Sequence, residues 1–227
     1  MSKETVIILC GGKGLRLRPI TKNIPKPLIE INKKPILEHI INHFIKYKFN
    51  DFIIATGYKS DKIEEFMVRK FNNINYKIIN SGDVEIIKRI IDCTRDLQSN
   101  SILCYGDTLT NIDLDSLKEF HNDSKNLLTI SGYKIKIPFG VMHRNSNNFV
   151  IKFEEKPTLN EVMNIGFFYI SKNLYSIFNK HKSFEDMLIK LSHDKLLKCY
   201  IHNGIHITIN TIAELYHANE NIEKLYS

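Results

Sequence analysis

The chain has 227 residues, enough for one α/β domain with a substantial core, or one domain with a small appendage. Its formal charge of +7 comes from lysines spread along the chain rather than clustered with aromatics, which suits an anionic ligand; no nucleic-acid motif is present. No apolar run approaches the ~20 residues of a membrane span, and residues 1–5 lack an apolar core and a cleavage site, so a cytoplasmic protein with no membrane partner is expected.

Residues 6–9, VIIL, form a short apolar strand that runs into a turn holding Gly11, Gly12 and Gly14, with Lys13, Arg16, Arg18 and Lys26 close behind. Residues 35–49 place Ile36, Leu37, Ile40, Ile41, Phe44 and Ile45 at helical spacing, with Pro35 suited to the first helical position. A buried strand at 51–56 follows, then an amphipathic helix after Ser60 with Ile63, Phe66, Met67 and Phe71 on one face. Residues 76–79 read as a strand, 84–97 as a helix and 101–105 as a strand. Alternation of this kind predicts right-handed crossovers and a mostly parallel, doubly wound sheet.

Beyond Asp107 the pattern changes. A helix over 114–121 precedes a strand at 127–133; runs at 139–143 and 149–153 flank Asn145, Ser146, Asn147 and Asn148, a hairpin turn. A strand at 163–170 leads to Ser171, an expected N-cap for a helix over 172–178. A helix at 184–191, strands at 197–202 and 206–209, and a helix at 212–225 complete the chain. With no repeat, linker or boundary, residues 1–227 read as a single domain. Cys10, Cys93, Cys104 and Cys199 are scattered without metal-ligand spacing, three of them in strand-like apolar runs, so buried free thiols are expected.

A glycine turn at the end of a strand, followed by basic side chains, is chemistry for nucleotide phosphates: backbone N–H groups approach the oxygens, and open α/β sheets bind ligands at that end. The loop is neither a Walker A nor a GxGxxG motif. A glycine turn with solvated lysines is the plainer alternative. Asp107 directly follows the strand SILCY, where a carboxylate can face the same crevice. No GxSxG motif or recognisable Cys–His pairing offers a covalent nucleophile.

GGKGLRLRP followed by PKPL resembles the signature of the sugar-1-phosphate nucleotidyltransferases, and the likeness covers nearly the whole chain, nearest to the glucose-1-phosphate cytidylyltransferases. It implies a Rossmann-like, mostly parallel mixed sheet flanked by helices, with a small β-hairpin portion for substrate binding. It implies a nucleotide site from Leu9, Gly11, Gly12, Lys13, Arg16, Lys26, Ser81, Gly82 and Asp107. Arg16 would contact the departing pyrophosphate and Lys26 the reacting α-phosphate, two roles that suit cations in a reaction run by positioning and charge. YGDTLTNIDLDSLKEFH, similar to a long stretch of the cytidylyltransferases, makes Asp107 a catalytic ligand of Mg²⁺. In FEEKP, Glu155 and Lys156 would line the acceptor pocket, and Asn164, in MNIGFF, would meet acceptor hydroxyls. Without the likeness, EEKP reads as a solvated charged turn.

Three positions depart from the pattern. HITINT stands where the family carries a W-x-x-[MIL]-D-T stretch, which leaves Asn210 in place of the second metal carboxylate. Ile165 replaces a glycine and faces either the pocket or the core. The middle of the chain is shortened to Ser81, Gly82, Asp83 and Val84, a segment implied to receive the base. In addition, Leu15 stands where cytidylyltransferases usually carry threonine. The reading that results is a cytidylyltransferase that joins CMP from CTP to a sugar 1-phosphate or a smaller phosphomonoester, such as phosphoglutamine or phosphocholine, for cell-surface polysaccharide or capsule synthesis. Its partners are CTP and that acceptor, with a homo-oligomer left open. A GTP- or UTP-dependent hexose or heptose enzyme, a degenerate regulatory subunit and a nonspecific nucleic-acid binder are the alternatives.

Overall fold

The computed structural model describes residues 4–123 and 125–225, so most of the 1–5 segment lies outside the described residues. The first half runs β1 (Thr5–Leu9), the short pair β2 (Glu30–Ile31) and β3 (Lys34–Pro35), α1 (Ile36–Lys46), β4 (Asp51–Thr56), α2 (Ser60–Lys70), β5 (Asn75–Asn80), α3 (Ile86–Thr94) and β6 (Ser101–Tyr105). The second half runs β7 (Thr108–Thr110), α4 (Leu114–Asn122), β8 (Leu128–Lys136), β9 (Val141–Arg144), β10 (Val150–Glu154) and β11 (Thr158–Ile170). It ends with α5 (Phe184–His193), β12 (Leu197–His202), β13 (His206–Thr208) and α6 (Ile212–Asn221).

A seven-stranded sheet in the order β12-β8-β11-β6-β1-β4-β5 forms the centre. Strands β6, β1, β4 and β5 are mutually parallel, and β11 runs antiparallel between β6 and β8. The expected mixed, mostly parallel sheet is present. Because both faces are covered, strand residues alternate between two cores rather than between core and water. Val6, Ile8, Ile54, Ile102 and Phe167 pack on the face covered by α1 and α2, while Ile7, Ala55, Leu103 and Phe168 pack under α3 and α5.

The order of pairing matters for function. From β1 the chain steps outward to β4 and β5, then returns through α3 to place β6 on β1's other side. The carboxyl ends of β1 and β6 therefore sit at a topological switch point, where the loops diverge and leave a crevice. The β9–β10 hairpin pairs apart from the central sheet, as the expected small hairpin portion.

Some elements differ from the sequence reading. Residues 172–178 form no α-helix but two 3₁₀ turns, Lys172–Leu174 and Phe178–Lys180. Ser171 makes no capping bond because its hydroxyl meets His121 Nε2 at 2.8 Å instead. The strand read as 163–170 extends back to Thr158, with a bulge between Asn164 and Phe168 where Gly166 takes φ +75. Cys10, Cys93 and Cys104 are buried free thiols as expected, whereas Cys199 is exposed on the edge strand β12.

Candidate active site

At the switch point the two strand ends are tied together. Gly106 N donates to Leu9 O at 3.0 Å, and a Cβ at Gly106 would stand 2.6 Å from that oxygen, so a side chain there would push β6 off β1. Above this joint opens a cleft of ≈ 520 Å³ whose walls include Leu9, Gly11, Gly12, Arg16, Lys26 and Asp107. Six members of the expected nucleotide set thus share one cavity.

Each charged side chain is delivered by a local device. Arg16 stands in a 3₁₀ turn, Leu15–Leu17, anchored by buried Leu17, while Leu15 points outward. The turn Lys26–Leu28, with proline on either side of Lys26, buries Lys26 to 9 % exposure. Asp107 follows β6 directly. Asn210 arrives from the far end of the chain because β13 pairs antiparallel with β7 and Ile209 N donates to Asp107 O at 3.2 Å.

The result is a continuous polar chain. Lys26 Nζ donates to Asp107 Oδ2 at 2.5 Å and to Asn210 Oδ1 at 3.0 Å. Arg16 Nη2 donates to the same Asn210 oxygen at 2.9 Å. Thr108 Oγ1 donates to the other Asp107 oxygen at 3.2 Å. Cys10, fully buried beside this group, has its thiol pushed well up by burial first and by the Asp107 charge second, and stays neutral.

On the opposite lip, Lys13 of the glycine turn pairs with Asp83 at 2.5 Å, both side chains exposed, so the phosphate-type loop and the Ser81–Asp83 segment touch. Beneath them lies Arg89, which the sequence reading did not single out. Its guanidinium is buried, lines the cleft, and donates to Thr56 O and, at 2.8 Å, to Gly82 O. A Cβ at Gly11 would run into it. The available signal was an arginine inside the apolar run IIKRII, on the face that also buries Ile90.

The expected acceptor residues are less gathered. Asn164 Oδ1 accepts from Gly166 N at 2.8 Å, and its side chain also meets the hydroxyl of Tyr105, a residue of the cleft wall. Burial pushes the Tyr105 phenol up, and the Asn164 contact opposes that shift. Ile165 is 2 % exposed and lines no part of the cleft, which answers the question of which way it faces. Glu155 and Lys156 stand exposed after β10, Lys156 with φ +47, outside the residues that line the cleft.

Among the described residues, no three His, Cys, Asp or Glu side chains come together as a metal centre. The cleft wall carries the Asp107 carboxylate, and the amide oxygen of Asn210 lies next to it across Lys26. Hard oxygen donors in that small number fit a Mg²⁺-like cation that takes its other ligands from phosphates and water. No helix among the described residues is long and apolar enough to cross a membrane.

A family profile described as nucleotidyl transferase matches residues 5–223. The chain is 31 % identical to the "Probable glucose-1-phosphate cytidylyltransferase" of Bacillus subtilis, over 94 % of each chain. It is equally, 31 %, identical to the D-glycero-alpha-D-manno-heptose 1-phosphate guanylyltransferase of Campylobacter jejuni, over 93 % of this chain and 96 % of that one. Among solved structures, HddC from Yersinia pseudotuberculosis superposes with a TM-score of 0.75 at 25 % identity, covering 96 % of this chain and 99 % of that one.

Proposed function

The chain belongs to the nucleotidyl transferase family, and from that premise we propose that it transfers CMP from CTP to a small phosphorylated acceptor and releases pyrophosphate. The observation that carries this reading is the chain of Arg16, Asn210, Lys26 and Asp107, in which Arg16, Lys26 and Asp107 line a glycine-walled cleft and Asn210 joins the two cations. Two cations and one carboxylate suit a triphosphate whose α-phosphorus is attacked by a phosphate oxygen, a reaction that needs positioning and charge stabilisation rather than a protein nucleophile.

This reading gives each residue of the cleft a role. The Gly11–Gly12 backbone and Lys13 receive the β- and γ-phosphates, with Lys13 exchanging Asp83 for phosphate oxygens. Arg16 stabilises the charge that develops on departing pyrophosphate, because a guanidinium fork matches two phosphate oxygens at once. Lys26 neutralises the α-phosphate as the acceptor oxygen approaches. Asp107 holds a divalent cation, Mg²⁺ in this reading, which when bound supplies Lewis-acid charge to the phosphate oxygens. Ser81 and Gly82, tied to the cleft floor through Arg89, meet the base. Asn164, beside Tyr105, with Glu155 and Lys156 on the hairpin, meets the acceptor.

The acceptor is a sugar 1-phosphate, in keeping with the names of both relatives, or a smaller phosphomonoester; a CDP-linked sugar would serve cell-surface polysaccharide assembly. The equal identity to a guanylyltransferase supports a second reading with GTP and a heptose phosphate. One screen separates them: pyrophosphate release with each of four nucleoside triphosphates crossed against hexose 1-phosphates, heptose 1-phosphates, phosphocholine and phosphoglutamine. Turnover confined to CTP supports the first reading, and turnover confined to GTP the second. Saturable nucleotide binding with no turnover in any pairing would leave a regulatory subunit.

A further inference from the structure

Asn210 is held from behind and aimed forward. Its backbone N donates to Glu214 Oε2 at 2.5 Å, next to the Thr211–Glu214 capping box that opens α6. Its neighbour Ile209 is bonded to Asp107 O. The main chain is therefore fixed on both sides, and the side chain's direction is set by what it meets. Both groups that meet it, Lys26 Nζ and Arg16 Nη2, are pure donors, so the amide must present oxygen to them. An amide oxygen has two lone pairs. Both are spent on those cations.

This arrangement has an electrostatic consequence. Arg16, Lys26 and the Arg89 guanidinium of the cleft wall carry three positive charges against two negative, Asp107 and the Glu214 carboxylate behind Asn210, and the amide adds none. A bare dication approaching Asp107 meets Lys26 at 2.5 Å from the same carboxylate, and the other nearby carboxylate, Glu214, is taken up by the backbone N–H groups of Asn210 and Thr211. The anionic complex of a dication with a triphosphate is attracted by the same net charge.

We propose that Asn210 is a positioning residue that clamps Arg16 and Lys26 side by side for the triphosphate, and that the divalent cation reaches Asp107 only as a complex with nucleotide. This rests on the reading of the cleft as a triphosphate site. In that arrangement Lys26 leaves Asp107 as the phosphates arrive, and the carboxylate is freed for the metal in the same event. A carboxylate at position 210 would cancel the surplus charge and open the cleft to free metal.

The test uses Mn²⁺ as the probe and its free-ion paramagnetic resonance signal as the readout, with the full chain, Asn210→Asp and Asn210→Ala, each with and without CTP. Wild type should show no saturable Mn²⁺ binding without CTP and clear uptake with it. Asn210→Asp should show saturable Mn²⁺ binding without nucleotide, with uptake at a free Mn²⁺ concentration about tenfold or more below any at which wild type takes up the ion. Asn210→Ala should stay nucleotide-dependent for Mn²⁺ while losing about tenfold in affinity for metal-free CTP, measured calorimetrically in chelator, because its two cations are no longer held together. Wild type that takes up Mn²⁺ as tightly without CTP as with it overturns the proposal. So does Asn210→Ala with unchanged metal-free CTP affinity. A protein that binds no CTP under any condition refutes the function reading, while nucleotide-free Mn²⁺ binding by Asn210→Asp and not by wild type would still support the charge argument.

Discussion

Replacing Lys26 by methionine removes one charge and keeps most of the stem, so it asks what the ammonium itself contributes. Lys26 Nζ lies 2.5 Å from Asp107 Oδ2, with 11 % of the lysine and 29 % of the aspartate side chain exposed. At an effective dielectric constant of about 20 the gross attraction is about 7 kcal/mol. Methionine recovers only the lysine's desolvation and leaves the Asp107 charge unpaired, a loss of about 3–5 kcal/mol in a fully buried pair and, with the aspartate 29 % exposed, of about 2–3 kcal/mol here. For a chain of this length that lowers Tm by roughly 4–12 °C. The rate effect should be larger. A charge aimed at the reacting phosphate contributes about 3 kcal/mol to the barrier, or about a hundredfold in turnover. The assay is initial-rate pyrophosphate release at 25 °C with saturating CTP and acceptor, alongside a thermal melt. Turnover within threefold of wild type, with Tm lowered as expected, would show that Lys26 braces Asp107 and does not act on the phosphate.

Other consequences can be checked in the same preparations. Exhaustive chelation should abolish turnover, with recovery on adding back a divalent cation; full activity in chelator would remove Asp107 from a metal-binding role. Lys156→Ala should raise the acceptor KM about tenfold or more while leaving the CTP KM nearly unchanged, and an equal rise in both would take Lys156 out of the acceptor subsite. Acidification should destabilise the fold through His43, His121 and His206, each lowered by burial from 6.5 to about 4. These imidazoles are neutral when folded, and the unfolded chain binds the extra protons between pH 6.5 and 4. Stability is therefore complete above pH 6.5 and falls as pH drops, by roughly 2 kcal/mol per imidazole by pH 5. A Tm unchanged between pH 7 and pH 5 would contradict this.

Elements whose cause is local were legible from the sequence. The helical spacing of Ile36, Leu37, Ile40, Ile41 and Phe44 and the apolar run of β4 specify themselves, because each carries its own buried face. The 172–178 segment departs from its expected helix for the opposite reason. Ser171 looks like a cap until His121, fifty residues away, takes its hydroxyl. Arg89 in the sequence is one polar residue on an amphipathic helix. Its contacts depend on Thr56 and Gly82, which the pairing of β4 with β5 sets side by side next to α3.

The site divides along the same line. The glycine turn and the PKPL segment lie within twenty residues of each other and are readable as one piece of phosphate chemistry. Asn210 is different, since the sequence identifies a missing carboxylate and nothing about where the remaining amide points. That direction is set by Lys26, 184 residues away, and Arg16, 194 residues away. They are delivered by two 3₁₀ turns, and the β7–β13 ribbon carries Asn210 to them. Once the cations are in place, the exchange of one carboxylate oxygen for an amide nitrogen changes the charge of the whole cleft by one unit. It thereby changes which species, free metal or metal carried on nucleotide, the cleft attracts. A substitution that looks like loss of a ligand in the sequence becomes, in the fold, a choice of the order in which ligands arrive.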